Sequence, residues 1–357
     1  MAELAVVILA AGKGTRMLSR RQKILHEVGG RPMVSHVLES ALQVADLPPL
    51  LVVGPGENGV QELFGERAGY VLQPEQLGTG HATMMAAPAL EGRSRQVLVT
   101  YADMPLLRAN TMSGLAERQR TSGAAVVMLT VMGEPGSTFG RVVRGRDGQV
   151  LEIVEVAEAR RRPEGDALLA IRELNAGVYC FDADWLWQNL DDLPLRRARS
   201  GQEYYLTDMI GIAVSQDRPV EARIVDDADE CLGAGTRAEL VVVEKAFRRR
   251  ANALWLSAGV TLIDPETTHI DQTATIGQDT VIWPNTYLQG QTTVGQGCVL
   301  GPNAVIRDTT LGDECRIEGS IVERCVLGDG AAVPPFSHVV DEQIVVKGPV
   351  DSAGQES

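Results

Sequence analysis

Five cations, Lys13, Arg16, Arg20, Arg21 and Lys23, fall within the stretch KGTRMLSRRQK with no acid among them. Immediately ahead of them runs LAAG, and Gly12 and Gly14 leave backbone N–H groups free beside these charges. A loop of this kind either cradles a polyanion of triphosphate size or is a solvated basic turn, and position alone leaves both open. Spacing excludes two familiar phosphate loops. A dinucleotide fingerprint needs a third glycine where Met17 stands, and the G-x-x-x-x-G-K-[ST] pattern is absent. Asp103 is the other residue placed for chemistry: it follows the apolar VLVTY and precedes Pro105. A lone carboxylate at the end of a strand suits Mg²⁺, which takes one or two protein carboxylates and completes its octahedron with water and phosphate oxygens; a capping or turn aspartate is the bland alternative.

The elements that must position these groups follow from patterning. The chain has 357 residues, 44% hydrophobic and 22% charged, a globular composition large enough for two domains. Residues 1 to 235 alternate short β-rich runs (LAVVILAA, PLLVVGP, RQVLVTY) with helical segments (PMVSHVLESALQVA, TMSGLAERQRTSG), the signature of a mostly parallel, Rossmann-like α/β sheet covered by helices. Ligands of such sheets lie beyond the carboxyl ends of the strands, which is where the loops after Ala10 and Tyr101 fall. Thr236 with Glu239 reads as a capping box opening a linking helix, 236–259, with Leu240, Val243, Phe247 and Leu254 at helical spacing and Gly259 as its stop. Beyond it the period becomes six. Ile270, Ile276, Ile282, Leu288, Val294, Leu300 and Ile306 are followed, with some five-residue steps, by Leu311, Ile317, Val322, Leu327, Val333 and Val339. That period predicts a left-handed parallel β-helix over 260–346, of roughly four coils at about 18 residues each, and then a flexible tail, 347–357.

The net charge of -14 argues against nucleic acid or an anionic membrane as the main partner. Cys180, Cys231, Cys298, Cys315 and Cys325 form no C-x-x-C pair, so reduced thiols are expected. Glu3 stands where a signal peptide carries positive charge, and no run approaches a membrane span, so a cytoplasmic protein is expected.

LAAGKGTRM with a lysine a few residues on resembles the signature of sugar nucleotidyltransferases. LQPEQLGTGHA, TYADMPL, FGRVVR, EIVEVAEA, ELNAGVY and EYYLTD then come in the order seen in N-acetylglucosamine-1-phosphate uridylyltransferases, a family that carries a left-handed β-helix behind its transferase domain. The resemblance covers the whole first domain. It implies that UTP and N-acetylglucosamine 1-phosphate are the substrates, with Mg²⁺ on Asp103. Leu9, Ala10, Ala11 and Gly12, with Gln73, Gly78 and Thr79, would form the uridine pocket, where backbone groups and an amide meet the edge of the base. Arg16 and Lys23 would be catalytic, polarising the phosphates, with Lys13 assisting; Tyr101 and Ala102 would flank the metal-binding Asp103. Gly140, Glu155 and Asn175 would face the sugar, with Tyr205 and Thr207 lining the same pocket, and His81 is read as structural. Because the attacking phosphate is already anionic, no general base is required.

The sequence departs from that pattern in places. Where relatives carry a second metal ligand, asparagine or the aspartate of D-T-G-T, this chain has LGAGT with Gly235 at the ligand position, and Asp229 is the nearby acid that could substitute. Ala102 replaces a glycine, and Gln22 a proline. VPPFSHVVD resembles the family's I-G-P-F-A-x-L-R-P with Val340 near the place of the arginine, and the acetyltransferase histidine lies on later coils. No acetyltransferase activity is therefore expected, and the short β-helix is read as an oligomerisation element, a homotrimer. Two alternatives stay open: transfer to another hexose 1-phosphate, and a sugar-nucleotide-binding scaffold that has lost turnover.

Overall fold

The computed structural model describes residues 1–56, 58–134, 137–198 and 201–344; the expected tail, 347–357, and the last two residues of 260–346 lie outside the described residues. Two compact units divide the chain. One comprises Met1–His26 and Pro32–Val243, the other Glu27–Arg31 and the residues from Glu244 onward. The helix expected at 236–259 is Arg237–Ser257, and the division falls within it, whereas the sequence reading placed the first boundary at 235. Leu254, expected on the inner face, is 68% exposed. In those last turns the inward side is taken by Asn252, whose amide donates to Pro265 O and Thr268 O, and by Trp255, which packs on the second core.

The first unit is built on a nine-stranded sheet. Its strands are β1 (Ala2–Leu9), β2 (Leu50–Val53), β3 (Gly69–Leu72), β4 (Ser94–Tyr101), β5 (Val126–Met132), β6 (Arg141–Arg144), β7 (Val150–Val154), β8 (Glu173–Asp182) and β9 (Val220–Ile224). The main order is β9-β5-β8-β4-β1-β2-β3, with β6 joined to β8 and β7. Strands β4, β1, β2 and β3 run parallel; β8 enters antiparallel to both its neighbours. Strand β1 is apolar at almost every position because both of its faces are covered: Leu4, Val6 and Ile8 enter one core cluster, Ala5, Val7 and Leu9 the other. Helices Met33–Leu42 and Ala109–Ser122 stand where expected, the second closed by Gly123 in the left-handed conformation.

The second unit is the left-handed β-helix. Two-to-three-residue strands recur from Thr261–Leu262 to Gln343–Ile344 and stack into three parallel sheets of five strands each among the described residues. The coil therefore begins at Leu262, eight residues before Ile270, and has more turns than the four expected. Ile282, Leu288, Leu300, Ile306 and Val322 are wholly enclosed. All five cysteines are free and buried.

Candidate active site

Strands β1 and β4 end level with each other, Leu9 opposite Tyr101, and Ala102 N donates to Leu9 O at 3.1 Å. The basic loop and the Asp103 loop thus leave the sheet side by side. Gly14 has φ 58°, and a Cβ there would lie 2.5 Å from Lys23 Cβ. Only glycine permits that curl, which returns the chain to Lys23 at the start of a single helical turn, Lys23–Leu25, anchored by buried Ile24. Lys23 Nζ consequently meets Asp103 Oδ2 at 2.5 Å, with the two side chains 18% and 19% exposed.

The opposite wall follows β3. Gln73 N continues the sheet to Val53 O, and the Gln73 side chain turns its amide nitrogen to Gly78 O (3.0 Å) and His81 Nδ1 (3.2 Å). His81 thus braces the wall, the structural role expected of it. Thr79 Oγ1 accepts from Leu206 N at 3.0 Å, and Thr79 and Tyr101 line the same cleft. Burial pushes the Tyr101 hydroxyl far up, with Glu155 and Asp103 adding to the shift, so it stays a neutral donor. Between the walls lies a cleft of about 490 Å³, lined by Leu9 to Lys13, Lys23, Gln73, Gly78, Thr79, Tyr101, Asp103 and Tyr205. Its size is ordinary for a ligand pocket.

Of the residues expected at the site, Arg16, Ala102, Gly140, Glu155, Asn175 and Thr207 do not line this cleft. Ala102 is wholly buried. Gly140, Glu155 and Asn175 gather in a second group: Asn175 N donates to Gly140 O at 2.9 Å, and a Cβ on Gly140 would lie 3.2 Å from Glu155 Oε1. Asn175 spends its side chain on a bulge in β8, accepting from Gly177 N and exchanging hydrogen bonds with the Tyr179 hydroxyl. Five residues missed by sequence reasoning also line the cleft, Thr15, Ile24, Gln76, Ala82 and Glu203, of which Gln76 and Glu203 carry the longer polar side chains. Gln76 lies inside the LQPEQLGTGHA stretch, so the signal was there; its Nε2 donates to Ala11 O in a very short hydrogen bond.

Glu155 is mostly buried, and burial raises its carboxyl above the ordinary range; Glu158 and Asp208 push the same way, while the fully enclosed Arg141 opposes them. A raised folded pKa means that the folded chain holds this proton more tightly than the unfolded one. Its stabilising contribution is complete below the unfolded value and is lost as pH rises through the folded value. Glu155→Gln is therefore expected to melt higher than the parent at neutral pH and level with it at acid pH. Equal melting temperatures at neutral pH would contradict the account.

No group of three or more acidic, histidine or cysteine side chains able to hold a metal exists among the described residues. Asp103 shares the cleft lining with one other carboxylate, Glu203, and a hydrated Mg²⁺ that also takes phosphate oxygens needs only one or two protein carboxylates. The two glycines of LGAGT differ in outlook. The missing side chain of Gly233 looks toward the Asp103 carboxylate, 4.0 Å from Oδ1, leaving room there, whereas that of Gly235 is replaced by the Arg16 guanidinium, 2.5 Å away. Glu239 Oε2 accepts from Gly235 N, and Thr236 Oγ1 from Glu239 N, so the capping box reaches back one residue beyond its usual target. Asp229 does not line the cleft.

A parallel sheet whose strand-end loops join a basic glycine loop to a carboxylate, in a chain that continues into hexapeptide coils, defines a nucleotidyltransferase with a β-helix. The sequence matches the MobA-like NTP transferase domain over residues 6–178 and the six-repeat bacterial transferase hexapeptide over 273–308. It is 42% identical over 343 residues to the bifunctional protein GlmU of Pelobacter propionicus, covering 95% of this chain and 73% of that protein. It is 40% identical over 339 residues to GlmU of Heliobacterium modesticaldum (95% and 72%) and 39% over 333 residues to that of Shouchella clausii (93% and 72%). The chain belongs to the GlmU family. No helix among the described residues is long and apolar enough to cross a membrane.

Proposed function

We propose that this chain is a cytoplasmic uridylyltransferase that joins UTP and N-acetylglucosamine 1-phosphate into UDP-N-acetylglucosamine, releasing pyrophosphate, with Mg²⁺ held at Asp103. The observation that carries the reading is the Lys23–Asp103 pair at 2.5 Å beside the cleft walls of Leu9–Gly12 and Gln73–Thr79. When bound, the ion would supply Lewis-acid neutralisation of phosphate oxygens. Lys23 then exchanges its carboxylate partner for phosphate, and Arg16, seated over Gly235 on the same loop, brings a second cation to the charge that builds up on the leaving pyrophosphate. Glu155, whose charge reaches the Tyr101 hydroxyl, and Gly140 next to it would meet the sugar. No group need take a proton from the nucleophile, and the neutral Tyr101 is suited to orient rather than to exchange protons.

The same reading gives the chain no acetyl transfer, because Val340 stands near the place of the family's arginine, and a trimeric assembly through the β-helix, supported by the exposed Tyr287 and Ile321 on one outer sheet. Pyrophosphate release measured over a panel of nucleotides and sugar 1-phosphates tests the activity. Release confined to UTP with N-acetylglucosamine 1-phosphate is expected; a preference for another hexose 1-phosphate, or binding of UDP-N-acetylglucosamine with no release under saturating Mg²⁺, would overturn it. Sedimentation of the chain as a single copy would remove the trimer.

A further inference from the structure

We propose that Gln76 selects ribonucleotides, its Oε1 accepting a hydrogen bond from the 2′-hydroxyl of the bound nucleotide. This rests on the uridylyl-transfer reading above.

Gln76 lines the cleft, and its Nε2 donates to Ala11 O. A backbone carbonyl only accepts, so the amide is locked with its NH₂ toward Ala11 and cannot turn over to present a donor to the ligand. The opposite face of the side chain is thereby fixed as an acceptor. That oxygen is enclosed, and among the described residues no group donates to it. An enclosed acceptor left without a donor is unfavourable, and such groups persist where something else supplies the hydrogen.

The sheet order says which part of a nucleotide that is. Gln73 follows β3 on one side of β1, and Asp103 follows β4 on the other. A triphosphate held at Lys23 and Asp103 and a base at Gln73 and Gly78 leave the ribose over the end of β1, which is where Ala11 stands and Gln76 reaches. The base offers a single edge donor and lies nearer Gln73, whereas the ribose carries hydroxyl donors at the level of Ala11. Of these, the 2′-hydroxyl is the one that distinguishes a ribonucleotide from its deoxy counterpart.

The test compares UTP with dUTP, and UTP with CTP, by pyrophosphate release and by calorimetric binding, in the parent chain, Gln76→Ala and Gln76→Glu. Both nucleotides of the first pair share base and triphosphate, so general damage from a substitution lowers them together and leaves their ratio alone. The parent is expected to prefer UTP over dUTP by about tenfold or more. Gln76→Ala should bring that ratio to within about twofold of unity. Gln76→Glu, which keeps an acceptor but cannot donate to Ala11 O, should weaken both nucleotides and keep the preference. A UTP:dUTP ratio unchanged in Gln76→Ala, or a change confined to UTP:CTP, overturns the assignment. Absence of turnover by the parent overturns the uridylyl-transfer reading separately, and the binding ratios still decide the role of Gln76.

Discussion

Lys23→Ala is expected to lower kcat/KM for pyrophosphate release by roughly a thousandfold, in the range seen when a preorganised charge facing a transition state is removed. The reason lies in how the lysine is held. Gly14 curls the loop, buried Ile24 pins the turn, and the ammonium sits partly enclosed, so its position is set before substrate arrives. A charge of that kind needs no reorganisation when the α-phosphate develops negative charge, and partial exclusion of water strengthens it. The fall should be mainly in kcat, because Lys13 and Arg16 remain to attract the triphosphate. Lys23→Arg should recover little: a planar fork cannot replace a point charge at 2.5 Å from Asp103 without moving the loop. Steady-state kinetics with both variants checks this, and a loss under tenfold for Lys23→Ala would place the chemistry elsewhere.

Asp103→Asn should be nearly as damaging, by about two to three orders of magnitude, since it removes the carboxylate on which the ion would rest. Its second consequence has the opposite sign. In the unliganded chain Asp103 engages Lys23, so a metal-free triphosphate must compete with the carboxylate for that ammonium and meets its negative charge as well. With asparagine there, UTP binding measured by calorimetry in the presence of a chelator should be as tight as in the parent or tighter, while added Mg²⁺ should strengthen binding in the parent only. Weaker metal-free binding in the variant would mean that Asp103 contacts the nucleotide itself, and the partition of roles between the lysine and the carboxylate would fall.

The β-helix was legible almost residue by residue, because each inward position is set by a six-residue period that no folding partner alters: Ile282, Leu288, Leu300 and Ile306 are enclosed where the spacing puts them. The strands were legible for a similar reason, since β1 is buried on both faces and reads as an almost unbroken apolar run, and Val97, Leu98 and Val99 at the centre of β4 enter the same two cores. Less legible was the inner face of the linking helix, where Asn252 and Trp255 displace Leu254, because a helix shared between two packing units follows two sets of neighbours.

The sequence by itself determined the class of fold, the concentration of positive charge in the glycine loop at Lys13–Lys23 and the carboxylate at a strand end, since local charge, period and strand-end position are properties of short stretches. Only the tertiary structure decided that Lys23 and Asp103, 80 residues apart, touch, that Arg16 fills the room left by Gly235, that Gly140, Glu155 and Asn175 stand in a group beside the cleft, and that Gln76 reaches Ala11. Those are distances between separate strand-end loops, and they are fixed by the order in which β3, β2, β1 and β4 lie in the sheet, which no local pattern encodes.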